Sequence, residues 1–289
     1  MHYEGKIIRP PSEADSILLQ VTVGCSHNHC TFCGTYKGER FRIKDETTIM
    51  ADIAFAAQHC QSQKRIFLCD GDAIFIPQDR LLEILRKIKK QLPWVTRVGT
   101  YANAKSLKSK SVDDLKELKA HGLGIVYLGL ESGDNETLQK VDKRVESDAI
   151  IKQCLKVRQA GIKLSITVIL GLAGPERSHI HAQKTGEVLS EIDPEYVGAL
   201  SLMLIPGTPL YAGWKRGTFT LQGANEMLAE LRTMIAHTHL SGGLFTANHA
   251  SNYLPIKARL PENKQAALNL IDKALEGNLP LKPEWLRAL

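Results

Sequence analysis

An α/β fold is what this sequence predicts, built as an incomplete barrel of six strand–helix units with a mostly helical C-terminal extension. Three observations carry the prediction. Apolar, β-branched runs alternate with helical patterns from residue 16 to about residue 206. The units recur at roughly 30 residues, room for one strand, one helix and two short loops. Several strand runs, such as "SITVILGL" and "GIVYLGL", are almost continuously apolar, as strands covered on both faces are. Short connections between alternating elements imply a parallel sheet with right-handed crossovers. Six units are too few for a closed eight-fold barrel and suit an incomplete, TIM-like (β/α)6 barrel.

Each element follows in order. The first strand lies in "SILLQVTVG" and runs straight into a cysteine loop, after which "ETTIMADIAFAAQHCQ" is helical. "RIFLCDGD" is the second strand and "DRLLEILRKIKKQL" its helix. "TRVGTYANA" precedes "SVDDLKELKAHG", where Ser111 offers an N-cap and Gly122 a C-terminal stop. "GIVYLGLES" precedes "DAIIKQCLKVRQAG", "IKLSITVILGL" precedes "SHIHAQKTGEVLSEI", and "EYVGALSLMLIPG" ends the series. Beyond it the pattern changes to two helices, "LQGANEMLAELRTMIAHTHL" and "PENKQAALNLIDKALEG", flanking an irregular stretch. The organisation expected is a lead-in over 1–15, the partial barrel over 16–210 and an extension packed on it over 211–289.

Composition sets limits. The chain of 289 residues is 43% hydrophobic and 24% charged, ordinary for a soluble globular protein. No apolar run approaches the roughly 18 residues of a membrane span, and "MHYEGKIIRPPSEAD" has no signal-peptide core, so the expected compartment is the cytoplasm. A net charge of +6 is mild for a nucleic-acid binder. The densest basic segment, Arg86, Lys87, Lys89 and Lys90, reads as the solvated side of an amphipathic helix.

Every unusual motif falls at the C-terminal end of an expected strand, where parallel α/β folds gather their chemistry. After the first strand comes "VTVGCSHNHCTFCGTYKG", with Cys25, Cys30 and Cys33 inside nine residues. Three thiolates can hold three irons of a cubane cluster and leave the fourth iron open. The alternative is zinc, with His27 or His29 as a fourth ligand. The second strand ends in Asp70-Gly71-Asp72, where a glycine permits close backbone approach and two carboxylates flank it; a plain turn is the other reading. "LES" ends the fourth strand, "LGLAGPE" the fifth and "IPGTPL" the sixth. Glu131 read alone is equally a helix-entry carboxylate, and Lys143 a surface lysine.

In this combination the sequence resembles the radical S-adenosylmethionine (radical SAM) superfamily, over residues 16 to about 210. Its nearest likeness is to the branch with oxygen-independent coproporphyrinogen oxidases and methylthiotransferases, and within that to a subgroup of unassigned reaction. The common cysteine spacing there is C-x3-C-x2-C; here it is C-x4-C-x2-C, with "CTFC" keeping the aromatic before the last cysteine. The resemblance implies that Cys25, Cys30 and Cys33 ligate a 4Fe–4S cluster and that Phe32 flanks the adenine of S-adenosylmethionine. It implies that Asp70, Gly71 and Asp72 stand where a Gly-Gly-Glu motif grips the methionine amino group. Glu131 would meet the ribose hydroxyls, Lys143 the cofactor's carboxylate or ribose, and Thr167 and Gly171 the adenine. Thr167, Ile169 and Gly171 share one side of the strand if alternation holds. The implied enzyme is oxygen-sensitive and takes an electron from an external donor of the flavodoxin or ferredoxin type. It cleaves S-adenosylmethionine reductively, and the 5′-deoxyadenosyl radical released takes hydrogen from a substrate.

Two further side chains are candidates for direct roles. Cys69 adjoins the Asp70 turn and is a possible hydrogen donor, whereas Cys60 and Cys154 read as small buried apolar residues. His249 lies in "FTANHASNYLP", read either as a lid touching substrate or as a loop sealing the open side of the barrel. The sequence has no second cysteine cluster and no Asp-x-His-x-x-Gly cobalamin motif. A small or medium organic substrate is therefore expected, with RNA modification, or a non-catalytic zinc or iron–sulfur protein, as the alternatives.

Overall fold

The computed structural model describes residues 1–288. In chain order the strands and helices are β1 (Ile17–Gln20), β2 (Thr22–Val23), β3 (Arg42–Ile43), α1 (Glu46–His59), β4 (Arg65–Cys69), α2 (Gln78–Gln91), β5 (Arg97–Ala102), α3 (Ala104–Lys108), α4 (Val112–Ala120) and β6 (Leu123–Glu131). There follow α5 (Asn135–Lys140), α6 (Ser147–Gln159), β7 (Lys163–Leu170), α7 (Ser178–Ile192), β8 (Tyr196–Ser201), α8 (Pro209–Lys215), α9 (Ala224–His237), β9 (Leu244–Ala247), β10 (Ile256–Arg259) and α10 (Lys264–Leu275). The fold class is the expected one, α/β with parallel strands and C-terminal helices.

The chain divides into two compact units. Among the described residues, the first holds 1–28, 35–128 and 152–164; the second holds 29–34, 129–151 and 165–288.

In the first unit β1, β4, β5 and β6 pair in parallel in that order, with Leu19 opposite Leu68 and Tyr101 opposite Tyr127. The apolar runs RIFLC and LGIVYL supply a core in which Phe67 is fully buried. Its ring meets those of Tyr101 and Tyr127 edge-on, at 5.0 and 5.7 Å. Burying a ring of that size contributes about 2–3 kcal/mol. Helix α2 buries Leu81, Leu82, Ile84, Leu85 and Ile88 on one stripe and turns Arg86, Lys89 and Lys90 to solvent, which is the solvated helix face its spacing predicts. Helix α4 starts at the expected Ser111, whose side chain accepts from the Asp114 N–H in a capping box. The first strand run is interrupted: after β1 the chain leaves the sheet, and β2 pairs antiparallel with β3 at the two ends of the cysteine loop.

In the second unit β7, β8 and β9 pair in parallel and β10 returns antiparallel to β9. Helix α7 spans the expected residues 178–192. The stretch expected to be irregular, 241–261, instead contributes β9 and β10, with Leu244 opposite Tyr196 and Ile256 opposite Ala247. Four-residue strands with a half-buried alternation carry too little periodicity to stand out in sequence; pairing with β8 makes them strands.

Candidate functional site

In the first unit, the end of β4 meets the start of the cysteine loop. The Gly71 N–H donates to the Gly24 carbonyl at 3.2 Å, and a Cβ on Gly71 would stand 2.9 Å from the Cβ of Cys25. No side chain fits there without displacement, which accounts for the glycine. Asp70 and Asp72 flank it, both buried. Asp70 accepts from Gln20 Nε2 at 2.6 Å, and its own N–H donates to Thr22 Oγ1. Asp72 Oδ2 accepts from the Ser26 hydroxyl at 2.5 Å and from Asn103 Nδ2 at 2.7 Å. The other oxygen of each carboxylate, Oδ1, is buried with no hydrogen-bond partner. Burial pushes both carboxyls up to about 6, against the hydrogen bonds from Gln20 and Ser26, which pull them down.

Cys69, at the last position of β4, is fully buried; its Sγ lies 3.6 Å from the Phe67 carbonyl, and burial, with the Asp70 charge beside it, pushes the thiol well above its ordinary range. The Cys69–Asp70 peptide bond is cis. His27 is half-buried and His29 exposed.

In the second unit, the segment carrying Cys30 and Cys33 is pinned by Thr31. Its N–H donates to the Val141 carbonyl at 3.0 Å, and its carbonyl accepts from the Leu210 N–H at 3.0 Å. Phe32 packs on a buried apolar cluster of Val141, Leu172, Leu202, Met227 and Tyr253, which draws together the ends of β7 and β8 and the C-terminal extension. Glu131, with φ +65°, ends β6 and folds its carboxylate back over Gly129, where a Cβ would clash with it. Lys143 Nζ donates to Glu131 Oε1 at 2.9 Å, so these two expected residues form one ion pair, each side chain 12% exposed. Thr167 and Ile169 are half-buried along β7, alternating with the buried Ile166, Val168 and Leu170.

Gly171 follows at φ +81°, with both backbone groups engaged inside the protein. Its N–H donates to Glu230 Oε1 at 2.7 Å and its carbonyl accepts from the Gly174 N–H. A Cβ there would meet Met227 Cε at 2.7 Å.

The polar segment after β9 is tied down. Asn252 Nδ2 donates to the Ala199 carbonyl, and Ser201 Oγ donates to Asn252 Oδ1. Arg287, nearly buried, donates to the carbonyls of Ser251 and Leu202 and to the Tyr253 hydroxyl, and stacks on the Tyr253 ring at 4.1 Å. His249 is half-buried; its Nδ1 accepts from the Ser251 N–H, which leaves the proton on Nε2. Burial and the nearby Lys282 lower its pKa, so the ring is neutral at pH 7.

Sequence reasoning missed Ser26 and Asn103, which orient Asp72, and the buried trio Ser132, His181 and Glu230. Asn103 stands inside the quoted "YANA" strand end, the one signal available; Glu230 has none, being one acidic residue among several on a helix.

The donor set is suited to an iron–sulfur cluster: none of the six cysteines is in a disulfide, and three fall within nine residues. Among the described residues no three His, Cys, Asp or Glu side chains converge as ligands of a single metal ion. The buried, unpartnered carboxylate oxygens beside Gly71 are suited to an ammonium group such as that of S-adenosylmethionine. No helix among the described residues is long and apolar enough to cross a membrane.

Comparison with known proteins agrees. An uncharacterized protein of Methanocaldococcus jannaschii is 24% identical over 234 residues, 76% of this chain and 71% of its own length. The threonylcarbamoyladenosine tRNA methylthiotransferase MtaB of Rickettsia prowazekii is 23% identical over 201 residues, 66% of this chain and 46% of that one. Among solved structures, coproporphyrinogen III oxidase HemN of Escherichia coli, described as a radical SAM enzyme, shares the fold at a TM-score of 0.54 and 14% identity, over 76% of this chain and 51% of that one. The chain thus spans about half the length of the latter two. The Radical SAM superfamily model matches residues 19–182, more than half of the chain. The protein therefore belongs to the radical SAM superfamily, enzymes that work with a 4Fe–4S cluster and S-adenosylmethionine.

Proposed function

We propose that this chain is a radical SAM enzyme acting on a small or medium organic substrate, with Cys25, Cys30 and Cys33 as the cluster ligands. The observation that carries the site reading is the Asp70-Gly71-Asp72 turn. Its glycine lies against Cys25, and both carboxylates keep a buried oxygen without a partner. When bound, the cluster supplies the electron for reductive cleavage of S-adenosylmethionine, received from an external flavodoxin- or ferredoxin-type donor.

The remaining work belongs to the protein's own side chains. Ser26 and Asn103 hold one oxygen of Asp72, which would leave the other to accept from the methionine ammonium. Asp70, held by Gln20, adds a second acceptor. Glu131, poised by Lys143 and by its left-handed backbone, offers a carboxylate to a vicinal diol. Phe32 gives adenine an apolar wall, and Thr167 offers a half-buried hydroxyl on β7. Gly171 contributes shape, since its N–H and carbonyl are already used. Cys69, buried at the end of β4 beside Asp70, is the thiol placed to donate a hydrogen atom in this reading, and burial keeps it protonated. His249, in its neutral form, stands in the segment read either as a lid touching substrate or as a loop sealing the barrel. The domain reading is a partial barrel over 16–210 with its extension over 211–289.

The test is anaerobic reconstitution, reduction with dithionite and assay of 5′-deoxyadenosine. Cluster-dependent formation supports the reaction class, and Cys30→Ala then abolishes both the cluster absorbance and the product. A fully loaded cluster in Cys30→Ala overturns the ligand assignment. RNA that co-purifies and dissociates with salt would move the substrate to nucleic acid.

A further inference from the structure

Beneath the strand ends of the second unit lies a buried polar chain that the activity above does not use. Glu230, on α9, is 1% exposed, and among the described residues no Lys or Arg pairs with it. Its Oε1 accepts from the Gly171 N–H at 2.7 Å and faces His181 Nε2 at 3.3 Å; its Oε2 accepts from the Ser178 hydroxyl at 2.5 Å. His181, on α7, is fully buried. Its Nε2 also faces the Ile169 carbonyl at 3.2 Å. Both neighbours of Nε2 are acceptors, so Nε2 carries a proton. On the other side of the ring, Nδ1 lies 2.7 Å from the Ser132 hydroxyl, and that hydroxyl accepts from the Asp134 N–H. Ser132 directly follows Glu131.

The chain Ser132–His181–Glu230–Gly171 N–H thus joins the end of β6 to the end of β7 by hydrogen bonds alone. Its third member, Glu230, comes from α9 of the extension and not from either strand. A buried carboxyl group is costly unless its hydrogen bonds are made, and an apolar side chain would pack the same space more cheaply. What such a chain supplies is a fixed distance and direction between the segments that it bonds.

We propose that His181 and Glu230 are positioning residues for the nucleoside part of S-adenosylmethionine. They hold Glu131 and the Thr167–Gly171 strand end in the spacing that the cofactor requires, so that helix α9 of the extension helps to shape the cofactor site. The proposal rests on the reading of Glu131, Thr167 and Gly171 given above.

The measurement is equilibrium binding of S-adenosylmethionine to the anaerobically reconstituted protein, with iron content, cluster absorbance and thermal midpoint recorded for each variant. Glu230→Ala strands the Gly171 N–H, and His181→Leu removes the ring that links the Ser132 hydroxyl to Glu230 Oε1. Each is expected to weaken binding about tenfold, on the scale of a buried group left unpaired, with iron content and absorbance unchanged. Glu230→Gln keeps an acceptor for the Gly171 N–H and is expected to restore affinity to within about twofold of wild type. A lower midpoint with unaltered affinity in both deletion variants means a merely structural role and overturns the proposal. If those two fail to fold, Ser132→Ala removes only the hydroxyl that meets Nδ1; an unaltered affinity there overturns the proposal equally. Wild type that does not bind the cofactor, or Glu131→Ala that binds it normally, removes the underlying reading. Weakened binding in Glu131→Ala with no effect in the network variants removes the positioning role alone.

Discussion

Asp72 is held by two donors at one oxygen and by none at the other, and its carboxyl titrates near 6 because burial penalises its charge. The folded protein therefore binds this proton more tightly than the unfolded chain does. The stabilisation linked to the proton is complete below about pH 4 and is lost as pH rises through 6. In the apoprotein, Asp72→Asn should flatten the fall of the thermal midpoint between pH 4 and 7. Parallel curves for variant and wild type would mean that the carboxyl is not shifted. Glu131 offers a second test. Removing a charged hydrogen-bond acceptor costs about 1.5–3 kcal/mol, so Glu131→Ala should weaken S-adenosylmethionine binding roughly 10- to 100-fold with cluster absorbance intact. The residue types at these positions were legible in the sequence. Their partners were not, because the bonds of Ser26 and Asn103 to Asp72 and of Lys143 to Glu131 are made by distances that only the fold creates.

Among the elements, α7 and the turn after β6 approach backbone to backbone. The Gly133 N–H donates to Thr185 Oγ1, and a Cβ on Gly133 would stand 2.3 Å from the Lys184 carbonyl oxygen. Backbone, unlike a side-chain tip, cannot swing aside. Gly133→Ala should therefore cost about 3 kcal/mol, at the upper end for overpacking, which denaturant unfolding would register. The long elements were readable because they repeat a period over ten or more residues: α2 shows its apolar stripe, and α7 begins and ends where its pattern does. Strands β3, β9 and β10 and helix α3 were not readable, having at most five residues each, too few for a period to register. Their existence is decided by a partner strand or, for α3, by the Asn103–Ser106 capping box.

For the whole molecule, the C-terminal extension is more than a covering. Arg287 gathers the carbonyls of Leu202 and Ser251 and the ring and hydroxyl of Tyr253, so the segment after α10 fastens the polar "NHASNY" stretch to the end of β8. Arg287→Ala leaves two buried carbonyls without this donor and should lower stability by about 3 kcal/mol, measured by urea unfolding. A loss under about 0.5 kcal/mol would mean that water replaces the guanidinium. The sequence signalled that this stretch is polar and dense but not whether it is mobile or fixed. An arginine 34 residues away in sequence from the tyrosine that it stacks on leaves no local trace.

The bond from the Gly171 amide to Glu230 has one more consequence. That amide proton sits at the end of a barrel strand, yet its acceptor belongs to α9. Its exchange with deuterium therefore measures how often the helix lifts away, one site reporting on a docking event of the intact protein with no ligand, label or turnover needed. Exchange as slow as that of the β7 interior would mean that helix and strand open only together, as one cooperative unit; faster exchange would time the helix by itself.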